Sequence, residues 1–366
     1  MRIPQLLQAV QFVRGVLSGE TAHAGPFFVT LDVTDRCNLR CRACAYHSAD
    51  VPPTADNCLP RDISYELVLR LCREMKSMGG WRLLLIGHGE PLLHPRIGDI
   101  IAAGKSSGLE VFLTTNGTLL DEERVRSLVA LGLDKIQVSL WANSPDDYVR
   151  NHPGTPAAMF DQVVRGVERL VKERSAQGKA RPRIVLHQAI TRYDYGNIGQ
   201  FADVALATGC DALSLSPLTT QHGVMSAHAP SAAEVTTVCG ILEQLRARLR
   251  GTRLSHNIDD VLGRYRAGAA IWEEYGCYIG WIDARVRING DVAPCNLCEL
   301  PLGNLGQTSL REIWNGPGFQ DFRRRARTPQ GLQSLSAQCD CEYCCHLPAN
   351  RRLHPFFRAL EPLMRW

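Results

Sequence analysis

Residues 35–44 read Asp-Arg-Cys-Asn-Leu-Arg-Cys-Arg-Ala-Cys and place Cys37, Cys41 and Cys44 in a Cys-x3-Cys-x2-Cys pattern. Three thiolates at this spacing can bind one metal centre, whereas an iron–sulfur cluster is normally held by four cysteines. A centre with three protein ligands keeps one position open for another molecule, as catalytic zinc sites do. The alternatives are buried structural cysteines or zinc, but zinc sites generally pair a Cys-x2-Cys with a second ligand pair. Because no fourth ligand is nearby in sequence, we predict an open iron–sulfur cluster.

Composition places the chain among soluble enzymes. With 366 residues, 45% of them hydrophobic, it can bury one large core and a smaller satellite domain. The net charge of +4 is spread over 41 basic and 37 acidic residues, which indicates no nucleic-acid-binding stripe. No apolar run reaches the roughly 18 residues of a membrane span. The 14 cysteines of a long chain without a signal peptide favour metal binding in a reducing cytoplasm over disulfides.

Downstream of a short N-terminal region (1–26), whose residues Ile3 to Leu17 have helical apolar spacing, the sequence alternates apolar runs with amphipathic stretches. This pattern predicts βα units around a parallel sheet. The predicted strands are 27–34, 82–88, 110–115, 135–141, 183–191 and 212–217, and the predicted helices lie near 64–78, 95–108, 121–132, 158–176, 196–209 and 232–250. Six units are too few for a closed eight-stranded barrel. We therefore predict an α/β fold with a partial (β/α)6 barrel over residues 27–255.

Polar residues gather where these strands end, which is where ligands of α/β sheets bind. After the second strand, Gly87-His88-Gly89-Glu90-Pro91 combines glycines, which allow close backbone approach, with a carboxylate that can accept hydrogen bonds from an ammonium group. His187 interrupts the apolar fifth strand. It is a candidate catalytic residue, although a satisfied core histidine is the more frequent outcome.

A cysteine-rich domain is predicted over residues 256–350, because seven of the 14 cysteines lie between Cys277 and Cys345. Asn289-Gly290-Asp291 suits a type I′ hairpin turn. The predicted ligands of a closed 4Fe–4S cluster are Cys277, Cys295, Cys341 and Cys344, with structural zinc as the alternative and with the roles of Cys298, Cys339 and Cys345 open. Helices are expected to be sparse beyond residue 270. The basic, aromatic tail (351–366) is expected to pack back onto the domain.

The cysteine triplet after an apolar strand, followed one unit later by the glycine-rich turn, resembles the radical S-adenosylmethionine (SAM) superfamily. The C-terminal cysteines resemble its SPASM or twitch auxiliary-cluster extension. The resemblance implies that the open iron of a 4Fe–4S cluster chelates SAM and that at least one auxiliary 4Fe–4S cluster is present. It also implies cofactor-binding roles for several residues: Gly87, Gly89 and Glu90 at the SAM amino group, Asn116 and Ser139 at its ribose and methionine portions, Arg150 at its carboxylate, and Tyr46 near adenine. Many members have an aromatic residue at the position of Ala43, and here Tyr46 would take its place near adenine.

The resemblance further implies that an electron from a donor such as flavodoxin or ferredoxin cleaves SAM to a 5′-deoxyadenosyl radical. Our leading hypothesis is a dehydrogenase of a carbohydrate- or aminocyclitol-like small molecule in antibiotic or other natural-product biosynthesis, with His187 accepting the hydroxyl proton. A sugar epimerase or dehydratase is one alternative, for which Cys58 is the first candidate hydrogen donor. A peptide maturase is another, and the short segment before the first strand disfavours it.

Overall fold

The computed structural model describes residues 3–51, 61–220, 223–268 and 272–360. All six predicted strands are present and pair in parallel and in chain order: β1 Phe28–Asp32, β2 Arg82–Ile86, β3 Glu110–Thr115, β4 Lys135–Ser139, β5 Arg183–Ile190 and β6 Ala212–Pro217. The predicted helices are also present, as α1 Ile3–Ser18, α2 Tyr65–Ser77, α3 Ile97–Ser106, α4 Glu122–Ala130, α6 Ala158–Ala176, α7 Ile198–Thr208 and α8 Ala232–Leu249. The partial barrel is confirmed.

The two faces of the barrel sheet differ in burial. Along β4, Ile136 and Val138 are fully buried under the helices, whereas Lys135, Gln137 and Ser139 alternate with them and stay partly accessible. The strands therefore enclose a lumen with polar side chains, although the apolar runs alone predicted two equally buried faces.

The sheet continues into the cysteine-rich region. In the described part of the chain, ten strands form one sheet, with the order β10-β9-β8-β1-β2-β3-β4-β5-β6-β7. The added strands are β7 Ser255–His256, β8 Asp283–Val286, β9 Asp291–Ala293 and β10 Gly303–Asn304. Because β8 pairs in parallel with β1, the hairpin that precedes Cys295 is an extension of the barrel sheet. The sequence concealed this because β8 has only four residues and includes Asp283 and Arg285.

Two predictions about the C-terminal region are wrong. Helices are frequent beyond residue 270: the helix that the sequence predicts around Ser309 to Trp314 is present as α10 Leu310–Trp314, and it is followed by α11 Pro317–Ala326, α12 Pro329–Gln333 and α13 Leu347–Ala359. Two further unpredicted helices, α5 Pro145–Asn151 and α9 Ile258–Ala267, lie before this region. Several are too short to show a helical period. The hairpin turn is also not type I′, because among the described residues of the turn only Gly290 has positive φ (86°), and its N–H donates to the Arg287 carbonyl.

The tail packs back as predicted over its described part, which ends at residue 360. Phe357 is fully buried, and its ring centroid lies 5.7 Å from that of Phe12 in α1 and 4.9 Å from that of Tyr278. Both termini of the described chain thus share one core with the barrel. None of the described helices is long and apolar enough to span a membrane.

Candidate iron–sulfur and SAM site

The loop after β1 brings Cys37, Cys41 and Cys44 together. Burial raises the pKa of the Cys41 thiol well above its usual value, and the neighbouring Cys44 and Cys37 raise it further. The backbone N–H groups of Tyr46 and His47 donate to Cys44 Sγ at 3.4 and 3.3 Å. Three adjacent soft thiol donors, one already facing two N–H groups, form a ligand set suited to iron–sulfur binding.

Gly87 and Gly89 hold the next strand end against this loop. A Cβ on Gly89 would lie 2.1 Å from the Arg36 carbonyl oxygen, and one on Gly87 would lie 2.8 Å from that of Thr34. The N–H of Glu90 donates to the Arg36 carbonyl at 2.7 Å. Glycine is therefore required here for the two loops to approach each other, which is a reason that the sequence pattern alone did not show.

The Glu90 carboxylate joins the ends of β2 and β3. It is 2% exposed and accepts hydrogen bonds from Leu92 N at 2.9 Å, Thr115 Oγ1 at 2.7 Å and Asn116 N at 2.6 Å. Burial raises its pKa, and the bond from Asn116 is the largest opposing effect. Contact between Glu90 and the SAM amino group stays a prediction; in the protein itself, the carboxylate fixes the position of the Asn116 backbone.

Asn116 extends this network to the cysteine loop. Its Nδ2 donates to Asn38 Oδ1 at 2.9 Å, and Asn38, which directly follows Cys37, donates to Thr118 Oγ1 at 2.8 Å. The strand end that was predicted to face SAM is thus bonded to the residue beside the first cluster cysteine.

His187 lies in the lumen among the ends of three strands. Its Nδ1 lies 3.4 Å from the donor Trp141 Nε1 and 3.5 Å from Ser139 Oγ, and its Nε2 lies 3.1 Å from Ser216 Oγ. Burial lowers the pKa of His187 to about 3, and the positive charge of Lys135 contributes. The imidazole is therefore neutral at physiological pH and only weakly basic, so it can take up a proton only from a strongly acidic group.

A second polar network at the top of the barrel was missed from the sequence. The Tyr46 ring stacks on His88, with centroids 3.8 Å apart, and His88 Nε2 accepts a hydrogen bond from Arg285 Nη2 at 2.7 Å. Arg285 also forms an ion pair with Asp32 at 2.9 Å and donates to the Asn296 carbonyl at 3.0 Å. The sequence offered no clear signal for this network, because β8 has only four residues and two of them are charged. The ion-pair partner of Arg285 is 253 residues away in sequence, so no local pattern identifies the pair.

The predicted roles of Arg150 and Cys58 are not tested by these contacts. Arg150 forms an ion pair at 2.8 Å with Asp147 on its own helix, α5, and its side chain is 45% exposed. Its contact with the SAM carboxylate stays a prediction. Cys58 lies outside the described residues, so its proposed role as a hydrogen donor stays a prediction as well.

The second cluster of thiols combines cysteines on either side of the β8–β9 hairpin with cysteines near the C-terminus. Burial raises the pKa of Cys277 to about 12, and the nearby Cys295 contributes, whereas Cys341 is influenced by both of these cysteines. Cys344 is close to Cys341 and Cys345. The four predicted ligands are therefore neighbours, together with Cys345.

Cys298 and Cys339 are paired with each other in a disulfide between two extended segments. They stand beside the predicted ligands Cys295 and Cys341 in the sequence. Within the four described ranges, no three His, Cys, Asp or Glu side chains surround a position suited to a single metal ion. Cysteines that bind a four-iron cluster lie farther apart than cysteines that bind a single metal ion. The thiols of both groups are the donors that such a cluster requires.

A parallel partial barrel with three cysteines after its first strand, a glycine-rich turn after its second and a cysteine-rich extension defines a class of iron–sulfur enzymes that bind SAM at an open cluster. The chain belongs to the radical SAM superfamily, whose family model matches residues 31–178, and a SPASM iron–sulfur cluster-binding domain matches residues 277–345. The protein therefore binds a 4Fe–4S cluster and SAM, and the SPASM domain implies auxiliary iron–sulfur clusters.

Three curated relatives share moderate identity with the chain. A PqqA peptide cyclase of Ruegeria pomeroyi is 28% identical over 84% of this chain and 79% of its own length. An AdoMet-dependent heme synthase of Methanosarcina barkeri is 25% identical over 87% and 90%. A tungsten-containing aldehyde ferredoxin oxidoreductase cofactor-modifying protein of Pyrococcus furiosus is 29% identical, but the match spans only about half of each chain (52% and 51%).

The fold is also that of solved structures. Streptococcus suis SuiB bound to its precursor peptide SuiA superposes with a TM-score of 0.64 at 15% identity, over 84% of this chain and 71% of SuiB. At this identity the likeness describes the fold alone.

Proposed function

We propose that the protein is a radical SAM enzyme that modifies a peptide by abstracting hydrogen from a carbon of one of its residues. The observation that carries the proposal is the match to a PqqA peptide cyclase across both the barrel and the cysteine-rich region, over 84% of the chain. This reverses the preference of the sequence-based hypothesis, in which a carbohydrate-like substrate came first and a peptide maturase second.

The lumen offers suitable chemistry for such a substrate. The bound cluster and SAM supply the hydrogen-abstracting radical, and the barrel places a carbon of the substrate against it and excludes water. Neutral His187, with serine hydroxyls near both ring nitrogens, is positioned to accept the proton that a substrate radical releases when it is oxidised. An auxiliary cluster held by Cys277, Cys295, Cys341 and Cys344 would supply an acceptor for the accompanying electron, so that the substrate would lose two electrons and two hydrogens in total.

The contacts that link the segments carrying the two cysteine groups support this electron transfer. Arg285, in the strand before Cys295, contacts both Asp32, at the end of β1, and His88, which stacks on Tyr46 beside Cys44. The same strand pairing therefore positions the loop of the SAM cluster and the hairpin of the auxiliary cluster relative to each other.

The test identifies the substrate class without knowing the substrate. Cells of the source organism are grown on a deuterated carbon source, and their extract is separated into a peptide pool and a pool of sugars and cyclitols. Each pool is incubated with the reconstituted enzyme, unlabelled SAM and reductant. Deuterium in 5′-deoxyadenosine, read by mass spectrometry, reports hydrogen transfer from a molecule in that pool. Label from the peptide pool is expected, and label only from the other pool would contradict the proposal.

A dehydrogenase of a sugar-like small molecule is the second candidate. The favouring observation is the polar lumen, in which Gln137, Ser139 and His187 are partly accessible side by side. The same experiment distinguishes it, because its label would come from the sugar and cyclitol pool.

A further inference from the structure

A cavity of about 460 Å³ opens at the amino ends of the barrel strands, opposite the strand ends that carry the cluster loop. Its rim includes the first residue of four consecutive strands, Arg82 of β2, Glu110 of β3, Lys135 of β4 and Arg183 of β5. Arg181 adds a further cation from the loop before β5. This volume falls within the range of small-molecule sites.

The charges around this cavity are not balanced by the protein. Glu110 pairs with Arg82 at 2.7 Å. The other three cations have only neutral partners: Lys135 donates to Gln137 Oε1 at 3.2 Å, Arg183 donates to Ser255 Oγ, and Arg181 lies 3.4 Å from a backbone carbonyl. Among the described residues, no carboxylate lies within ion-pair distance of these three side chains, so the cavity carries about three uncompensated positive charges.

Two acidic residues that stand beside cavity residues in the sequence, Asp134 and Asp211, are already engaged elsewhere. The Asp134 carboxylate binds Lys105 and the Val111 N–H, and the Asp211 carboxylate binds Arg174 and the Ile184 N–H. Burial lowers the pKa of Lys135 to about 8, and the positive charges of Arg183 and Arg82 lower it further.

Two other features of the cavity suit a ligand. His256 lines it, and its buried Nδ1 has no hydrogen-bond partner among the described residues. Phe112 lies on the same wall, with Arg82 Cζ 4.2 Å and Lys135 Nζ 5.6 Å from its ring centroid. Aromatic contact stabilises cations without neutralising them, so the site stays available to an anion.

We propose that this cavity binds the phosphate group of a small molecule, at a site distinct from the SAM site. One guanidinium group can donate two hydrogen bonds to two oxygens of the same phosphate group, and lysine binds phosphate as a point charge. A diphosphate group carries enough negative charge to match the three unpaired cations, whereas a single carboxylate would leave two of them uncompensated.

The test is calorimetric titration of the anaerobically reconstituted protein with pyrophosphate and with inorganic phosphate, at constant ionic strength. The variants are Lys135→Gln and Arg183→Gln, and the matched control is Arg165→Gln, which removes an exposed arginine of α6. Each cavity variant is expected to raise the dissociation constant for pyrophosphate about tenfold, as loss of one charge-assisted contact does. The control is expected to bind as the unmodified protein does.

Thermal unfolding gives an independent readout. Without added anion at low salt, Lys135→Gln is expected to melt at the same temperature as the unmodified protein or higher, because it removes repulsion. Addition of pyrophosphate should raise the melting temperature of the unmodified protein more than that of the variant. If a cavity variant fails to fold, the exposed Arg181→Gln substitutes for it. Equal affinity of cavity and control variants, or equally weak binding of chloride, sulfate and pyrophosphate, would overturn the proposal.

Discussion

Replacement of Asp32 by Asn tests whether the buried pair with Arg285 holds the auxiliary hairpin on the barrel. The two side chains are 2% and 5% exposed and lie 2.9 Å apart. The variant leaves the buried Arg285 cation with only the partly exposed Glu299 carboxylate, 3.9 Å away, to balance its charge. His88 cannot supply a negative charge, although it and the Asn296 carbonyl remain as acceptors. Loss of one partner from a buried pair costs about 3–5 kcal/mol. With two acceptors remaining, we expect about 3 kcal/mol.

The measurement is denaturant unfolding of the reduced apoprotein, read as a lower midpoint at unchanged slope. Asp99→Asn is the matched control, because it removes the same group from an arginine pair whose side chains are 46% and 55% exposed, and it should cost less than about 1 kcal/mol. The double variant Asp32→Asn with Arg285→Met should be less destabilised than the sum of the single variants, by about 2 kcal/mol. Asp32→Asn that costs no more than Asp99→Asn, or strictly additive single effects, would refute the reasoning.

Three further predictions follow from the same contacts. Changing Cys37, Cys41 and Cys44 together to Ala should abolish SAM cleavage while the iron bound by the C-terminal cysteines remains; loss of all iron would contradict two separate centres. Glu90→Gln places an amide donor against buried donors and should cost about 2–3 kcal/mol of unfolding free energy. It should also weaken SAM binding, measured by titration, with the cluster spectrum unchanged. The exposed Glu168→Gln is the control, and an effect of Glu90→Gln no larger than that of the control would reject the role of Glu90. The folded-state pKa of His187, about 3, lies below its ordinary 6.5, so the folded state binds fewer protons than the unfolded state and the protein loses stability as the pH falls from 6.5 toward 3. Between pH 7 and 5, His187→Gln should therefore lose about 2 kcal/mol less unfolding free energy than the unmodified protein. An unchanged pH dependence of stability would show that the imidazole stays accessible to protons.

The barrel could be predicted from the sequence because each strand is a short apolar run with its own boundaries. Glu90 and Ser139 were located at strand ends for the same reason, since parallel strands place their carboxyl ends at one edge. Periodicity assigns a residue to a face of its own strand. It does not tell which strand lies beside it, so the contact of His187 with Ser139 and Ser216 appears only in the folded chain.

The roles of the glycines and of Glu90 illustrate a second limit. The sequence predicted that Gly87 and Gly89 allow close backbone approach, and the structure shows that what approaches is the Arg36 and Thr34 backbone. The partner of a glycine is not encoded near it in the chain. A motif therefore indicates that close packing is needed, while the contact itself must be observed.

The pairing of β8 with β1 explains how cysteines about 230 residues apart in the sequence are held on one sheet. Cys37 follows the end of β1 by five residues, and Cys277 precedes the start of β8 by six. Neighbouring strands of a sheet lie about 4.8 Å apart, so this pairing fixes the chain that precedes the cysteine triplet beside the chain that follows Cys277. The buried Asp32–Arg285 pair then spans the two strands and continues to His88, beside the glycine-rich turn. Since one sheet and one polar network hold both loops, the relative position of the two cluster sites depends on the barrel itself rather than on a flexible linker.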